Sequence, residues 1–226
     1  MKRLIEIACF NVEAALLAAK QGAHRIELCT DYSSGGITPP LEEVQYIMQH
    51  VNLPVHVMVR PRAGDFVYTP SEIKEMLTCI ETLKSYGVAG VVSGVLTKEN
   101  TIDQACLELL LEASKGVNFT FHRAVDDCVD SDEAIAILAE SEVTHVLTSG
   151  AKKSALEGAE KIAVWQKAVG HKLHIIPGGS IRSSNLKSVM AITQCQEFHS
   201  AAITEGFEIP NANEISLLVQ IAQSCD

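Results

Sequence analysis

No stretch of this chain approaches the roughly 18 consecutive apolar residues that a membrane-spanning helix needs. The first ten residues, MKRLIEIACF, pair basic residues with a short apolar run that Glu6 interrupts, so they lack the apolar core of an export signal. Basic clusters are missing too. Eighteen Lys and Arg stand against 28 Asp and Glu, a net charge of −10 with no basic run. That excludes broad binding to nucleic acid or an anionic membrane, which needs clustered cations, but leaves room for a small anion held by two or three local ones. The seven cysteines (Cys9, Cys29, Cys79, Cys106, Cys128, Cys195 and Cys225) are odd in number and form no C-x-x-C pair. A disulfide framework is not expected, and a reduced, cytoplasmic protein is. There is no low-complexity segment, sequence repeat or linker.

What is present is an alternation of short apolar runs and longer helical patterns. The runs are LIEIA (4–8), RIELC (25–29), PVHVMVR (54–60), GVVSG (90–94), NFTFHR (118–123), THVLTSG (144–150), LHIIPGG (173–179) and EFHSAA (197–202). Each precedes a helical pattern, with Asn11 and Ser131 as N-caps and Gly22, Gly87, Gly116 and Gly170 as stops. Ser154–Val169 is expected as one long helix. Eight β-then-α units without a break predict an α/β, single-domain (β/α)8 TIM-type barrel of parallel strands over residues 1–226.

RIELC raises a question, because a strand covered by helices should be continuously apolar. In a barrel, alternate side chains point outward to the helices and inward to the lumen. Placing Ile5, Ile7, Ile26, Leu28, Val55, Val57, Phe119, Phe121 and Phe198 outside leaves Glu6, Glu27, Cys29, His56, Arg60, His122 and His199 inside. Buried charges cost several kcal/mol per ion unless paired. Arg25 and His174, near strand starts, are expected in structural ion pairs. Glu27, Arg60, His122 and His199 lie nearer the C-terminal strand ends, where barrels bind their ligands, and are candidates for acid–base work or for holding a polar ligand. The loops Thr148-Ser149-Gly150 and Pro177-Gly178-Gly179-Ser180 suit an anion held by backbone N–H groups. Arg60 and Arg62 add charge, and Glu6 and His199 complete the polar wall.

The motifs HRIELC (24–29), GGITPP (35–40), VMVRPRAGDFVY (57–68), VVSGVL (91–96), TFHRAVD (120–126), VLTSGAKKSALEG (146–158) and IPGGSI (176–181) closely resemble the CutC family, called copper homeostasis proteins. The likeness runs in order from residue 4 to about 202. It implies a cytoplasmic, self-associating barrel and copper(I) bound by cysteines at the first two strand ends, with no organic cofactor. Cys29 sits at the family's position, whereas Ala8 stands where the family usually has its first cysteine and Cys9 is shifted by one. By strict alternation Cys9 points away from Cys29, unless the alternation relaxes at the strand end. Two functions follow. One is copper(I) handling through Cys29 and Cys9. The other is an enzyme on a small anionic metabolite, with Glu27, Arg60 and His122 catalytic and Glu6, Arg62, Ser149, Gly178, Gly179 and His199 binding the ligand.

Overall fold

In the computed structural model, which describes residues 3–204 and 208–224, eight strands and eight helices alternate along the chain. Cys225 lies outside the described residues. The strands are β1 (Leu4–Cys9), β2 (Arg25–Leu28), β3 (Val55–Met58), β4 (Gly90–Ser93), β5 (Asn118–Phe121), β6 (His145–Thr148), β7 (His174–Pro177) and β8 (Glu197–Ser200). The helices are α1 (Val12–Lys20), α2 (Leu41–His50), α3 (Pro70–Ser85), α4 (Gln104–Ala113), α5 (Ser131–Ala139), α6 (Ala159–Val169), α7 (Leu186–Thr193) and α8 (Ala212–Ser224). All strand pairs are parallel, in the order β7-β6-β5-β4-β3-β2-β1-β8. The result is a (β/α)8 barrel whose β7–β8 seam carries no ladder among the described residues. None of the described helices is long and apolar enough to cross a membrane.

Local chemistry accounts for the helix starts. Asn11 accepts a hydrogen bond from the backbone N–H of Ala14. Thr69 and Glu72 form a reciprocal capping box, with Pro70 in the first turn. Two expectations need correction. Asp130, not Ser131, caps α5, accepting from the N–H groups of Asp132 and Glu133. The helix expected from Ser154 begins only at Ala159. Residues 154–158 form a turn in which Gly158 passes so close to the Ser149 carbonyl that a Cβ would sit 1.9 Å from that oxygen.

Two apolar clusters divide the interior along the strand alternation. The larger, between strands and helices, holds Ile5, Ile7, Ile26, Leu28, Phe119, Phe121 and Phe198, all essentially inaccessible. The smaller, at the C-terminal end of the lumen, holds Ala8, Phe10, Cys29, Met58, Val92 and Ile203. Most of the remaining buried polar and charged side chains of the strands also lie in the lumen, among them Glu6, Arg25, Glu27 and His56.

Candidate functional site

Ion pairs fill the lower lumen. The Arg25 guanidinium lies 2.5 Å from Glu6 and 2.7 Å from Glu197, and all three groups are largely shut off from water. Arginine suits this position because its forked donors engage two carboxylates at once. Burial alone would raise the Glu6 pKa, but Arg25 and a hydrogen bond from His199 outweigh it and hold the carboxyl well below the usual range. The buried His56 is pushed down to about 4 by desolvation and stays neutral.

Above this layer a cavity of about 290 Å³ opens at the C-terminal strand ends. Its floor carries Glu27 and His199, and its walls carry Cys29, Met58, Arg60 and His122. His199 Nδ1 lies 2.7 Å from Glu6 and 3.4 Å from Glu27. The imidazole thus hydrogen-bonds to Glu6 and lies within ion-pair distance of Glu27. Burial would lower the His199 pKa, but Glu27 and Glu6 raise it instead. Glu27 has no guanidinium of its own. Desolvation, joined by repulsion from Glu6, lifts its carboxyl to about 7, and its Oε1 is buried without a hydrogen-bond partner. It is an acid poised to gain or lose a proton near neutrality and facing the cavity.

His122 is different in kind. Its Nδ1 accepts from the Ala124 backbone N–H at 3.2 Å, so the ring proton sits on Nε2, which is buried and unpartnered. Desolvation and the neighbouring Arg60 charge push its pKa down to about 3. It is therefore a neutral N–H donor across the pH range of the cell. Phe66 joins it to Arg60, with the His122 and Phe66 ring centroids 4.7 Å apart and the guanidinium 4.9 Å from the Phe66 centroid. Arg60 is 6% exposed. It donates to the carbonyls of Ser34, Gly36 and Gly64, tying together the loops after β2 and β3. Gly36, at φ +97°, passes so close to Cys29 that a Cβ would lie 3.3 Å from its Sγ.

Several expected residues go elsewhere. Arg62 is turned away from the cavity, bound to Asp65 at 2.9 Å and Glu72 at 2.6 Å, where it braces the loop into α3. The Thr148–Gly150 loop does have anion-cradling geometry, but the protein's own Asp126 fills it. That carboxylate accepts from the Thr148 hydroxyl, the Ser149 and Ala151 N–H groups and the Ser149 hydroxyl. Ser149 thus turns both its N–H and its hydroxyl to Asp126. The Gly178 N–H is spent on the Thr148 carbonyl, and only Gly179 reaches the cavity surface.

Sequence reasoning missed Arg123 and Arg182, both on the cavity wall. Arg123 is held by Asp126 and the Ser149 hydroxyl, each at 2.9 Å. Arg182 is held by the carbonyls of Ile181 and Ile203. A cation directly after a strand-end histidine, in FHR, was the available signal for the first. With Arg60, these place three guanidinium groups around a mouth whose floor holds the carboxylates.

Cys9 and Cys29 do not converge. Cys9 packs in the outer cluster with its Sγ toward the Ile7 carbonyl, whereas Cys29 faces the lumen with its Sγ toward the Cys9 carbonyl, each at 3.5 Å. Burial and the Glu27 charge push both thiols well above their ordinary pKa. A two-thiolate copper(I) site does not fit these residues, because strict alternation holds through Cys9 to the end of β1.

The geometry defines a (β/α)8 barrel with a small cavity, lined by charged and apolar side chains, at the C-terminal strand ends. The CutC family model matches residues 3–204, and the chain belongs to that family. A family protein CutC from Salmonella schwarzengrund is 39% identical over 199 residues, covering 88% of this chain and 79% of its own. A Streptococcus agalactiae structure carrying the names copper homeostasis and CutC superposes with a TM-score of 0.83 at 27% identity, covering 88% of this chain and 98% of that one. Phosphoribosylanthranilate isomerase from Thermotoga maritima superposes at 0.65 with 11% identity, covering 97% and 98%, a likeness of fold alone.

A pH dependence follows from the cavity floor. A carboxyl with a raised folded pKa binds more protons folded than unfolded, so its contribution is full below the unfolded value of 4.5 and is lost as pH rises through about 7. Between pH 5 and 8, Glu27→Gln should gain about 2 kcal/mol relative to wild type. Urea unfolding at both pH values checks this, and a gap that does not change with pH would rule out the raised carboxyl.

Proposed function

We propose that this CutC-family chain is an acid–base enzyme acting on a small anionic metabolite. The observation that carries the reading is Glu27, raised to about 7 with its Oε1 free of any hydrogen-bond partner, in one cavity with three guanidinium groups. Arg60, Arg123 and Arg182 would hold the anionic end. Glu27 would take or return a proton, His199 and Glu6 would set its charge, and the neutral His122 would donate from Nε2 to a developing oxyanion. A cavity of about 290 Å³ suits a metabolite of a few carbons. The cysteines are free thiols among the described residues, which supports the cytoplasm as the setting.

Phosphate should stabilise the wild-type protein against heat beyond a chloride control of equal ionic strength, and Arg123→Ala should remove most of that difference. Arg123 is the better variant because Arg60 also ties two loops together. Equal responses in both proteins would dismiss the anion site. A metabolite library screened by the same shift would then give the substrate class.

A second reading keeps the name that the relatives carry. Cys29 and Met58 both lie against Gly36, so a thiol and a thioether share one cavity wall, and such soft donors suit copper(I). Under this reading Cys29→Ser abolishes copper(I) binding while Cys9→Ser leaves it unchanged, measured by competition with a chromogenic chelator. Equal losses in the two variants would contradict the opposite orientations of the thiols.

A further inference from the structure

At the opposite end of the barrel, the first residues of β6, β7 and β8 bring together His145, His174 and Glu197. One ligand atom from each lies within 4.8 Å of the others. The Thr144 hydroxyl donates to the Phe119 carbonyl at 2.9 Å, so it receives the Nδ1 proton of His145 at 2.8 Å. His145 Nε2 then stands 3.6 Å from Glu197 Oε1. His174 Nδ1 stands 3.1 Å from the same oxygen. We propose that His145, His174 and Glu197 form a second site, for a divalent first-row transition ion of the zinc or cobalt(II) kind.

The spacing fits that chemistry. Ligand distances of about 2.0–2.2 Å in a tetrahedral arrangement put neighbouring donor atoms roughly 3.4 Å apart, and the two N–O separations bracket this value. Two imidazoles and one carboxylate are a recurrent zinc set that leaves a fourth position for water. The outer partners are also in place. Thr144 fixes the His145 tautomer, and Arg25 anchors the far oxygen of Glu197 at 2.7 Å. His174 is exposed, which gives an ion access from solvent. The site also spans β7 and β8, the seam without a ladder among the described residues, so a bound ion would staple the barrel closed.

The test is calorimetric titration of zinc into the full chain after chelator treatment, with the cobalt(II) visible spectrum as a second readout. Wild type should take one zinc per chain and rise in Tm, and cobalt(II) should give four-coordinate absorption. His174→Ala, at an exposed position that tolerates truncation, should weaken zinc at least about tenfold and lose the Tm rise. Glu27→Gln should bind zinc like wild type, which separates this site from the carboxylates of the cavity. No zinc uptake by wild type, unchanged affinity in His174→Ala, or loss of zinc in Glu27→Gln would each overturn the proposal.

Discussion

Replacing Arg25 by methionine should destabilise the protein by about 3–5 kcal/mol at neutral pH, the range seen when one partner of a buried ion pair is removed. Arg25 is 4% exposed and neutralises both Glu6 and Glu197 at the bottom of the lumen. Methionine fills much the same volume, so the loss reports uncompensated charge rather than a cavity. The sign with pH is fixed by the same pairs. Glu6 and Glu197 have depressed folded pKa values, so their stabilisation is present above the ordinary carboxyl range and is lost as pH falls through and below it. The deficit of Arg25→Met should therefore shrink below about pH 4. Adding Glu6→Gln to Arg25→Met should restore part of the stability, since the charge left alone is then gone. A loss of unfolding free energy of less than about 1 kcal/mol at neutral pH, from denaturant titration, would mean that solvent reaches the lumen and screens it.

With the metabolite in hand, Glu27→Gln should lower kcat by about 10²–10⁴-fold, the usual worth of a positioned acid or base. Binding should change only a few-fold, because the amide keeps the shape of the carboxyl while losing its proton transfer. The split follows from the division of labour in the cavity: the arginines lie at the mouth, while Glu27 lies on the floor beside His199. The pH–rate profile of wild type should turn near the raised value of about 7, and that limb should vanish in the variant. If Glu27→Gln keeps more than a tenth of the rate, proton transfer belongs to another group, with His199 the next to test.

The architecture was legible because its signals are local. Each strand is a run of four to six residues, and the side-chain period of two assigns every residue to lumen or helix face. Ile26 and Leu28 had to face the helices, and Glu27 followed inward with them. The same period placed Glu6, Cys29, His56, His122 and His199 inside and turned Cys9 outward. Helix starts at Asn11 and Pro70 were equally local, being set by caps within one turn.

Loops obey no such period, and there the tertiary structure decided. Arg62 sits two residues from Arg60 in one motif, yet Asp65 and Glu72 capture it while Arg60 enters the cavity. Asp126 occupies the cradle of the Thr148–Gly150 loop from more than 20 residues away, which leaves Arg123 and Arg182 as the remaining cations. The approach of Gly158 to Ser149 delays α6 by five residues relative to its sequence pattern. In each case the deciding contact is one of several open to a loop residue. Which of them wins depends on distances that exist only once the barrel has closed.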